Sequence, residues 1–365
     1  MKLTVKRESF IQAIQKVINI IGSRSTLPVL ANILLEAKDK SLTLTTTDLE
    51  IRITNSLDAE VEREGKTTIP AKKLAALVSR FLADDVQLDC NENHHTTIKC
   101  GTSVFKILGL SDEDFPPAAD FPAETHIKFK ETDFKKMLDR ISYAVSLDDT
   151  RKVLHGILCS VKENTVTAVA TDGKRLALVE KVPEEFKGSE GDTIIPLKAA
   201  NEVKRILENN DATVHLEFGE KQACFRTDKV CLTTKLIEGN YPNYRQVIPV
   251  SFNKTVDIPA AVLLAKLELV SLALSDDSSY VILTFDEGKL NLQASSSNVG
   301  EGSDYLDIDY NDTPINISFN PNFLADPLKH CDADKIQVKL NDGFSPVALE
   351  ASDGFLYVIM PMRNR

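Results

Sequence analysis

Apolar and small polar positions alternate through residues 166–178, Val-Thr-Ala-Val-Ala-Thr-Asp-Gly-Lys-Arg-Leu-Ala-Leu. A period of two predicts half-buried strands. The pair Asp172-Gly173 predicts a tight hairpin turn between two such strands, because glycine adopts a positive φ without steric cost. Related stretches lie about 125 residues away on either side, at 42–51 and 290–297. Their spacing predicts a long internal repeat.

The repeated unit is longer than the hairpin. Each copy begins with a short strand and a helix whose apolar residues recur every three or four positions and so form one stripe. The stripes are Phe10, Ile14, Val17, Ile18 and Ile21 in the first copy, Phe134, Met137, Leu138, Ile141 and Val145 in the second, and Val262, Leu263, Leu267, Val270 and Leu274 in the third. After the hairpin, a second helix is predicted to begin at Pro70, Pro196 and Pro321, because proline suits the first helical turn. Two or three further strands close each copy.

This order of elements predicts an α+β fold of three repeated domains, each with two helices packed on one side of antiparallel sheet. Irregular stretches that contain proline, at 112–123 and 239–251, separate the copies, as linkers do. The predicted domains are residues 1–122, 123–250 and 251–365.

The composition excludes several classes of protein. The 365 residues are 42% hydrophobic and 27% charged, which is ordinary for a globular chain. No apolar run is long enough to span a bilayer, and the N-terminus lacks a signal-peptide core. We therefore expect a cytoplasmic protein that does not enter a membrane. The six cysteines show no CxxC spacing and are expected to be reduced thiols.

No catalytic motif is present. The chain has no P-loop, GxGxxG, HExxH or GxSxG sequence, and no cluster of metal ligands. Asp48 and Asp172 occupy equivalent positions in two copies, but an aspartate there is primarily part of the turn. We expect no catalytic residue, metal or cofactor, and favour a protein that binds or tethers other molecules.

Basic residues recur on equivalent predicted helices although the net charge is −11. They are Lys6, Arg7, Lys16, Lys72, Lys73, Arg80, Lys135, Lys136, Arg140, Lys198, Lys204 and Arg205. For one helix this would be an ordinary solvated face. Repetition on at least four helices instead predicts a basic track that follows phosphates without reading bases.

Four short segments resemble one family in their order and spacing. They are 23–30 (Ser-Arg-Ser-Thr-Leu-Pro-Val-Leu), 171–176 (Thr-Asp-Gly-Lys-Arg-Leu), 241–245 (Tyr-Pro-Asn-Tyr-Arg) and 360–363 (Met-Pro-Met-Arg). With the threefold repeat, the whole chain resembles the bacterial sliding clamps, the processivity subunits of replicative DNA polymerases. The resemblance implies a head-to-tail homodimeric ring that encircles double-stranded DNA without sequence preference.

The same resemblance implies two sets of binding residues. The partner-peptide cleft would be formed by Leu154, Thr171, Gly173, Lys174, Arg175, Leu176, Pro242, Val247, Pro346, Val358, Met360, Pro361, Met362 and Arg363. The DNA contacts would be Arg24, Lys73, Arg80, Lys198 and Arg205. The replicative polymerase, the clamp loader and repair proteins would enter the cleft through short linear motifs. The chain departs from common members of the family at Asp148, Lys152, Val153 and Lys174.

The residue types in the cleft suit such a role. Leucine, valine, proline and methionine make an adaptable apolar pocket for several partners, and we expect Leu176, Pro242, Val247 and Met360 to hold one apolar anchor. Arg175 and Arg363 are expected to hold a peptide carbonyl or carboxylate. Two alternatives stay open: an enzyme acting on an acidic or phosphorylated substrate, and a monomeric repeat scaffold that binds only proteins.

Overall fold

The computed structural model describes residues 1–22, 27–119, 122–148, 150–275, 280–351 and 354–362. The chain forms two compact units. The first contains residues 1–135, 184–189 and 198–236, and the second contains 136–183, 190–197 and 237–365. The middle copy of the repeat therefore contributes strands to both units.

The first unit contains the whole first copy and part of the second. Its strands are β1 (Lys2–Lys6), β2 (Asn32–Lys38), β3 (Ser41–Thr47), β4 (Ile51–Asp58), β5 (Glu60–Arg63), β6 (Gly65–Pro70), β7 (Asp85–Cys90), β8 (His95–Cys100), β9 (Ser103–Leu108), β10 (Thr125–Lys130), β14 (Glu185–Gly188), β16 (Thr213–Phe218), β17 (Gln222–Arg226) and β18 (Val230–Lys235). Its helices are α1 (Arg7–Val17), α2 (Ala71–Val78) and most of α4 (Leu197–Ile206), and α3 (Glu131–Ile141) begins in it.

Two antiparallel sheets organise this unit. One has the order β5-β1-β7-β8-β9, and the other has the order β14-β10-β16-β17-β18-β4-β3-β2-β6. The two copies meet in the second sheet, where β18 pairs with β4 and Leu232 lies opposite Ile53. Both of those side chains are fully buried. Continuous hydrogen bonding thus joins the first copy to the second without leaving an open strand edge between them.

The second unit contains the remainder of the middle copy and the third copy. Its strands are β11 (Gly156–Lys162), β12 (Thr165–Thr171), β13 (Arg175–Lys181), β15 (Gly191–Pro196), β19 (Lys254–Pro259), β20 (Val281–Asp286), β21 (Lys289–Ser296), β22 (Gly300–Asp307), β23 (Ile315–Phe319), β24 (Lys335–Leu340), β25 (Val347–Ala351) and β26 (Phe355–Ile359). Its helices are α5 (Ala260–Ser271) and α6 (Pro321–Lys329). The sheets have the orders β15-β11-β12-β13-β26-β25-β24-β19 and β22-β21-β20-β23.

The expected order of strand, helix, strands, helix and strands is confirmed in all three copies. The helices are stable because their apolar stripes pack against a sheet. Phe10, Ile14 and Val17 of α1 are buried, and so are Leu263, Leu267 and Val270 of α5. Burying such side chains stabilises each helix by roughly 1.5–3 kcal/mol per large residue.

The predicted role of the prolines is correct for one copy of three. Pro321 is the first residue of α6, and the side chain of Asn320 caps that helix by accepting from the N–H groups of Asn322 and Phe323. Pro70 and Pro196 instead end strands β6 and β15. Their strands continue to the proline, where Pro70 pairs with Asn32, so the helix begins one residue later than the sequence pattern indicated.

Candidate partner cleft and nucleic-acid interface

The turn between β12 and β13 is built by two side chains. The Asp172 carboxylate accepts hydrogen bonds from the N–H groups of Lys174 at 2.8 Å and Arg175 at 3.0 Å. The Thr171 hydroxyl donates to the Arg175 carbonyl at 2.6 Å and accepts from the Gly173 N–H at 3.1 Å. Gly173 has φ +87°, a conformation that costs glycine little. The predicted hairpin is therefore confirmed, and its turn directs Arg175 inward.

The first copy repeats this turn bond for bond. The Asp48 carboxylate accepts from the N–H groups of Glu50 at 3.0 Å and Ile51 at 2.7 Å. The Thr47 hydroxyl donates to the Ile51 carbonyl at 2.9 Å and accepts from the Leu49 N–H at 3.1 Å. Leu49 has φ +76° where the second copy has glycine. The aspartates thus serve as turn acceptors, as the sequence analysis expected.

The Arg175 guanidinium is held by partners within the chain, and its contact with a peptide stays a prediction. Its side chain is 9% exposed. Nε donates to the Asp172 carboxylate at 3.1 Å, Nη2 donates to the Tyr143 carbonyl at 2.6 Å, and Nη1 pairs with the Asp326 carboxylate. The guanidinium also lies 4.3 Å from the centre of the Phe323 ring. Each nitrogen of the guanidinium thus has a partner, and through Asp326 and Phe323 Arg175 joins the hairpin to the third copy of the repeat.

The apolar floor beside this hairpin joins the second and third copies. Leu176 on β13 lies opposite Val358 on β26, and both are almost completely buried, at 1% and 2% exposure. They belong to one cluster: Leu158, Val169, Leu176, Leu178, Ile194, Ala348 and Val358. Leu154 is buried as well. The side chain of Leu176 therefore lies beneath the surface, and its place in the pocket stays a prediction.

Half-buried side chains cover part of this floor and form its rim. They are Val153, Ile237, Tyr241, Tyr244, Ile248, Phe252 and Leu356. Pro242 and Val247 belong to the same linker as the two tyrosines and are exposed, Val247 at 48%. Pro346, Pro361 and Met362 are half-buried. The linker therefore packs apolar side chains against the sheet that contains β26, the strand after which the terminal segment begins.

Met360 is the exposed apolar residue at the end of β26. Its side chain is 44% exposed, while its N–H donates to the Lys174 carbonyl at 3.0 Å. The Met362 N–H donates to the Ser318 carbonyl at 2.7 Å. Two backbone hydrogen bonds therefore dock the terminal segment and fix Met360 beside the hairpin turn. Arg363 lies outside the described residues.

Sequence reasoning missed one cation at this rim. An ideal Cβ on Gly173 would lie 2.9 Å from Nη1 of Arg151, which places this exposed guanidinium beside the turn. Lys174 is exposed next to it. The signal available in the sequence was weak, because Arg151 stands in an irregular segment with no repeated counterpart. Together the two cations give the rim a positive charge next to its apolar surface.

The candidate DNA contacts divide into two groups. Lys73 is exposed on α2, and Arg80 is exposed two residues beyond the end of α2 rather than on the helix. Lys198 is more than half exposed but forms an ion pair with Asp48. Arg24 lies outside the described residues. Lys73 and Arg80 are therefore the two cations of this set that the structure leaves to solvent.

Arg205 has a structural role within the first unit, and its expected contact with DNA stays a prediction. Its guanidinium donates to the carbonyls of Gln15 at 2.7 Å and Lys16 at 2.5 Å, at the end of α1. It also pairs with Glu202 at 2.8 Å. In return, Lys16 donates to the Ile206 carbonyl at 2.7 Å, at the end of α4. Each cation thus caps the carbonyl end of the other helix, where the helix dipole favours positive charge.

Two further surfaces were not recognised in the sequence. Strand β9 is an edge strand, and its Val104, Phe105 and Leu108 are 55%, 43% and 67% exposed. Long apolar edges normally invite pairing with another chain. In the second unit, Leu269 and Leu272 at the end of α5 are 59% and 74% exposed. The available signal was that residues 260–274 are apolar on nearly every face.

No group of three or more His, Cys, Asp or Glu side chains in the described part of the chain is placed to hold a metal ion. None of the described helices combines the length and the apolar character that crossing a membrane requires.

Comparison with known proteins places this geometry in context. Three domain families match in succession: the N-terminal domain of the DNA polymerase III beta subunit over residues 1–119, its central domain over 128–243 and its C-terminal domain over 245–363. A beta sliding clamp of Chlamydia muridarum is 32% identical over 364 residues, covering 100% of this chain and 99% of the relative. The solved DNA polymerase III subunit beta of Pseudomonas aeruginosa superposes with a TM-score of 0.95 at 28% identity over 100% of both chains. A sliding clamp of the same organism bound to griselimycin has a TM-score of 0.95 at 29% identity over 100% of both chains.

Proposed function

The chain belongs to the DNA polymerase III beta subunit family, and we propose that it is a DNA sliding clamp without catalytic activity of its own. In this proposal, a cytoplasmic homodimeric ring encircles duplex DNA and tethers the replicative polymerase and repair proteins after a clamp loader has opened it. The observation that carries the proposal is the succession of three matching domains along the chain. We place the domain boundaries near residues 122 and 250.

The partner cleft is the surface formed by Val247, Met360 and the linker tyrosines, above the floor that contains Leu176. Its chemistry suits a short linear motif with one apolar anchor and one carboxylate. The anchor covers Met360 and Val247, which are otherwise about half exposed to water. The carboxylate faces Lys174 and Arg151, both of them exposed at the hairpin turn.

In this proposal, dimerisation uses two apolar surfaces that are exposed in the described part of the chain. Strand β9 offers unpaired backbone groups beside Phe105 and Leu108. The third copy offers the surface for the other side of the contact. It consists of the edge strand β22 and the exposed Leu269 and Leu272 of the α5 region. These edges differ from each other, so the contact is heterologous, and two copies close into a ring when each uses both edges.

DNA contact is sequence-independent and weak. Lys73 and Arg80 supply phosphate contacts on the first unit, whereas Lys198 already has a carboxylate partner and Arg205 is committed to two helix ends. Closure around the duplex, rather than tight binding, provides retention. Binding is therefore expected to weaken with salt and to show little preference among sequences.

Retention on DNA of different topology tests the clamp function. Purified protein is loaded onto nicked circular DNA by a bacterial clamp loader, and the complex is isolated by gel filtration before and after the circle is cut. A sliding ring stays on the circle and leaves the linear molecule through its ends. Equal retention on both molecules, or loss from the circle, would contradict encirclement and favour a scaffold that binds only proteins.

Peptide titration tests the cleft separately. Met360→Ala should weaken binding of a replicative-polymerase tail peptide, because an apolar anchor is worth about 1.5–3 kcal/mol when fully buried. Losing about half of that corresponds to roughly three- to tenfold in Kd. Removing residues 360–365 should have a larger effect. Truncation must stop after Ile359, because Ile359 is fully buried and pairs with Arg175 and Val347.

A matched control distinguishes the cleft from a general loss of apolar surface. Val299, on the turn between β21 and β22, is 59% exposed. Val299→Ala should leave peptide affinity, mass and DNA retention unchanged. If the peptide binds equally well to the protein that ends at Ile359, the cleft lies elsewhere.

A further inference from the structure

Two cysteines of the first unit lie close together on neighbouring strands. The sulfur atoms of Cys224 on β17 and Cys231 on β18 are 3.2 Å apart. The register places Cys224 opposite Thr233 and Arg226 opposite Cys231, so the cysteines are diagonal neighbours on one face of the sheet. A disulfide bond is about 2.0 Å long. The sulfurs therefore need to approach by only about 1 Å for a bond to form between them.

The two thiols differ in their access to solvent. Cys231 is half-buried and Cys224 is buried. The adjacent side chains of β17, Ala223 and Phe225, point to the other face and are almost completely buried. A small oxidant in solution therefore reaches Cys231 first, and Cys224 stands directly behind it.

Charges around the pair favour a thiolate at Cys231. The thiol of Cys224 can donate to Cys231, which lowers the pKa of Cys231, and the Arg226 guanidinium lowers that pKa further. Arg226 Nη2 lies 3.8 Å from the Cys224 sulfur and 3.8 Å from the Glu217 carboxylate. Burial of the thiol and the Glu217 carboxylate on β16 both raise the pKa of Cys231 and oppose this effect, whereas a hydrogen bond from Thr233 lowers it. On the neighbouring strand β4, Arg52 lies opposite Thr233 and adds positive charge to the same face.

We propose that Cys224 and Cys231 form an intramolecular disulfide when the protein is exposed to hydrogen peroxide, so that this face of β17 and β18 is a reversible oxidation site. The Cys231 thiolate attacks one peroxide oxygen, the O–O bond breaks, and the departing hydroxide takes a proton to become water. Cys231 is then a sulfenic acid. The Cys224 sulfur attacks it, the S–O bond breaks, and the leaving hydroxide takes the Cys224 proton as a second water. A dithiol reductant restores both thiols.

Peptide mapping of the intact protein tests the site. The wild-type dimer is treated with hydrogen peroxide, alkylated, digested without reductant and examined by mass spectrometry. The expected product is one peptide pair joined through Cys224 and Cys231, two hydrogens lighter than the separate thiols, which disappears after treatment with dithiothreitol. Modification of Cys331 in preference to this pair, or a disulfide between chains, would overturn the proposal.

Variants identify the order of the two steps. Cys224→Ser should stop at a sulfenic acid on Cys231 that dimedone labels, whereas the wild-type protein should show little dimedone adduct. Cys231→Ser should leave Cys224 unmodified under the same exposure. Arg226→Gln should move the pH of half-maximal reaction upward, since below the thiol pKa each unit of increase in pKa lowers the thiolate fraction about tenfold.

Other cysteines of the same chain provide internal controls. Cys331 is also half-buried and donates a weak hydrogen bond to the Ala333 carbonyl, so Cys331→Ser should not change the rate at which the pair is lost. Burial raises the pKa of Cys159 to about 12, and this thiol should stay unmodified throughout. If Arg226→Gln reacts at the wild-type rate at every pH, or if Cys159 reacts as fast as Cys231, the reactivity is not a property of this pair.

Discussion

Replacing Arg175 by methionine should destabilise the second unit, although the sequence placed this residue in the peptide cleft. The substitution keeps much of the apolar stem and removes the charge. It leaves the carboxylates of Asp172 and Asp326 and the Tyr143 carbonyl without the donor they share. It also removes the cation from the Phe323 ring, 4.3 Å away.

The magnitude follows from the burial of the partners. Breaking a buried ion pair by removing one partner costs about 3–5 kcal/mol. The Asp172 and Asp326 side chains are 17% and 29% exposed, so water compensates part of the loss and the lower end, about 3 kcal/mol, applies. For a unit of this size, each 1 kcal/mol shifts the Tm by about 2–4 °C, and the expected decrease is roughly 6–12 °C.

Thermal unfolding by calorimetry measures this loss, beside peptide titration well below the transition. Arg175→Lys should be intermediate, because lysine keeps the charge but cannot reproduce the planar fork. Lys174→Met is the matched control: it lies in the same turn and is exposed, so its Tm should change little while its affinity for an acidic peptide falls. If Arg175→Met unfolds at the wild-type temperature and only loses peptide affinity, the structural role assigned to Arg175 is wrong.

Three further predictions concern assembly, DNA and pH. Leu272→Asp should reduce the proposed dimer to monomers in sedimentation equilibrium, because it places a charge on the apolar end of the α5 region. Leu82→Asp, at a residue that is 97% exposed, should leave the mass unchanged, and a dimeric Leu272→Asp protein would contradict the proposed interface. Lys73→Glu combined with Arg80→Glu should make the salt dependence of DNA binding less steep by roughly two units on a log–log plot, the equivalent of two phosphate contacts, and an unchanged slope would exclude both residues. Hydrogen bonds from the N–H groups of Phe344 and Ser345 lower the pKa of Asp342 below its usual 3.8, so its contribution to stability is present above pH 3.8 and is lost as the pH falls through the lower pKa of the folded state. The free energy of unfolding should therefore decrease less on acidification in Asp342→Asn than in the wild-type protein, and an equal decrease in both would refute this.

The sequence by itself determined the repeat and its elements. Alternation with a period of two predicted β12 and β13, and spacing of three and four predicted α1, α3 and α5, because local geometry decides which side chains share a face. The turn at Asp172-Gly173 was predictable for the same reason, since its hydrogen bonds run between residues no more than four positions apart. Even the equivalence of Asp48 and Asp172 as turn residues could be read from their position.

Only the tertiary structure decided which of these side chains meet a partner from a distant part of the chain. Arg175 and Arg205 look like free cations in the sequence. In the structure, Arg175 pairs with Asp326, which is 151 residues away, and Arg205 donates to the carbonyl of Gln15, which is 190 residues away. Leu176 looks like a pocket residue, yet it is buried because β26 pairs with β13. Alternation and spacing describe only neighbours along the chain, whereas charge pairing and burial depend on which strands and helices come together in space. For that reason the sequence could group the proposed cleft residues only as a region, and the fold alone separated its floor, its rim and the arginine that joins the hairpin to the third copy.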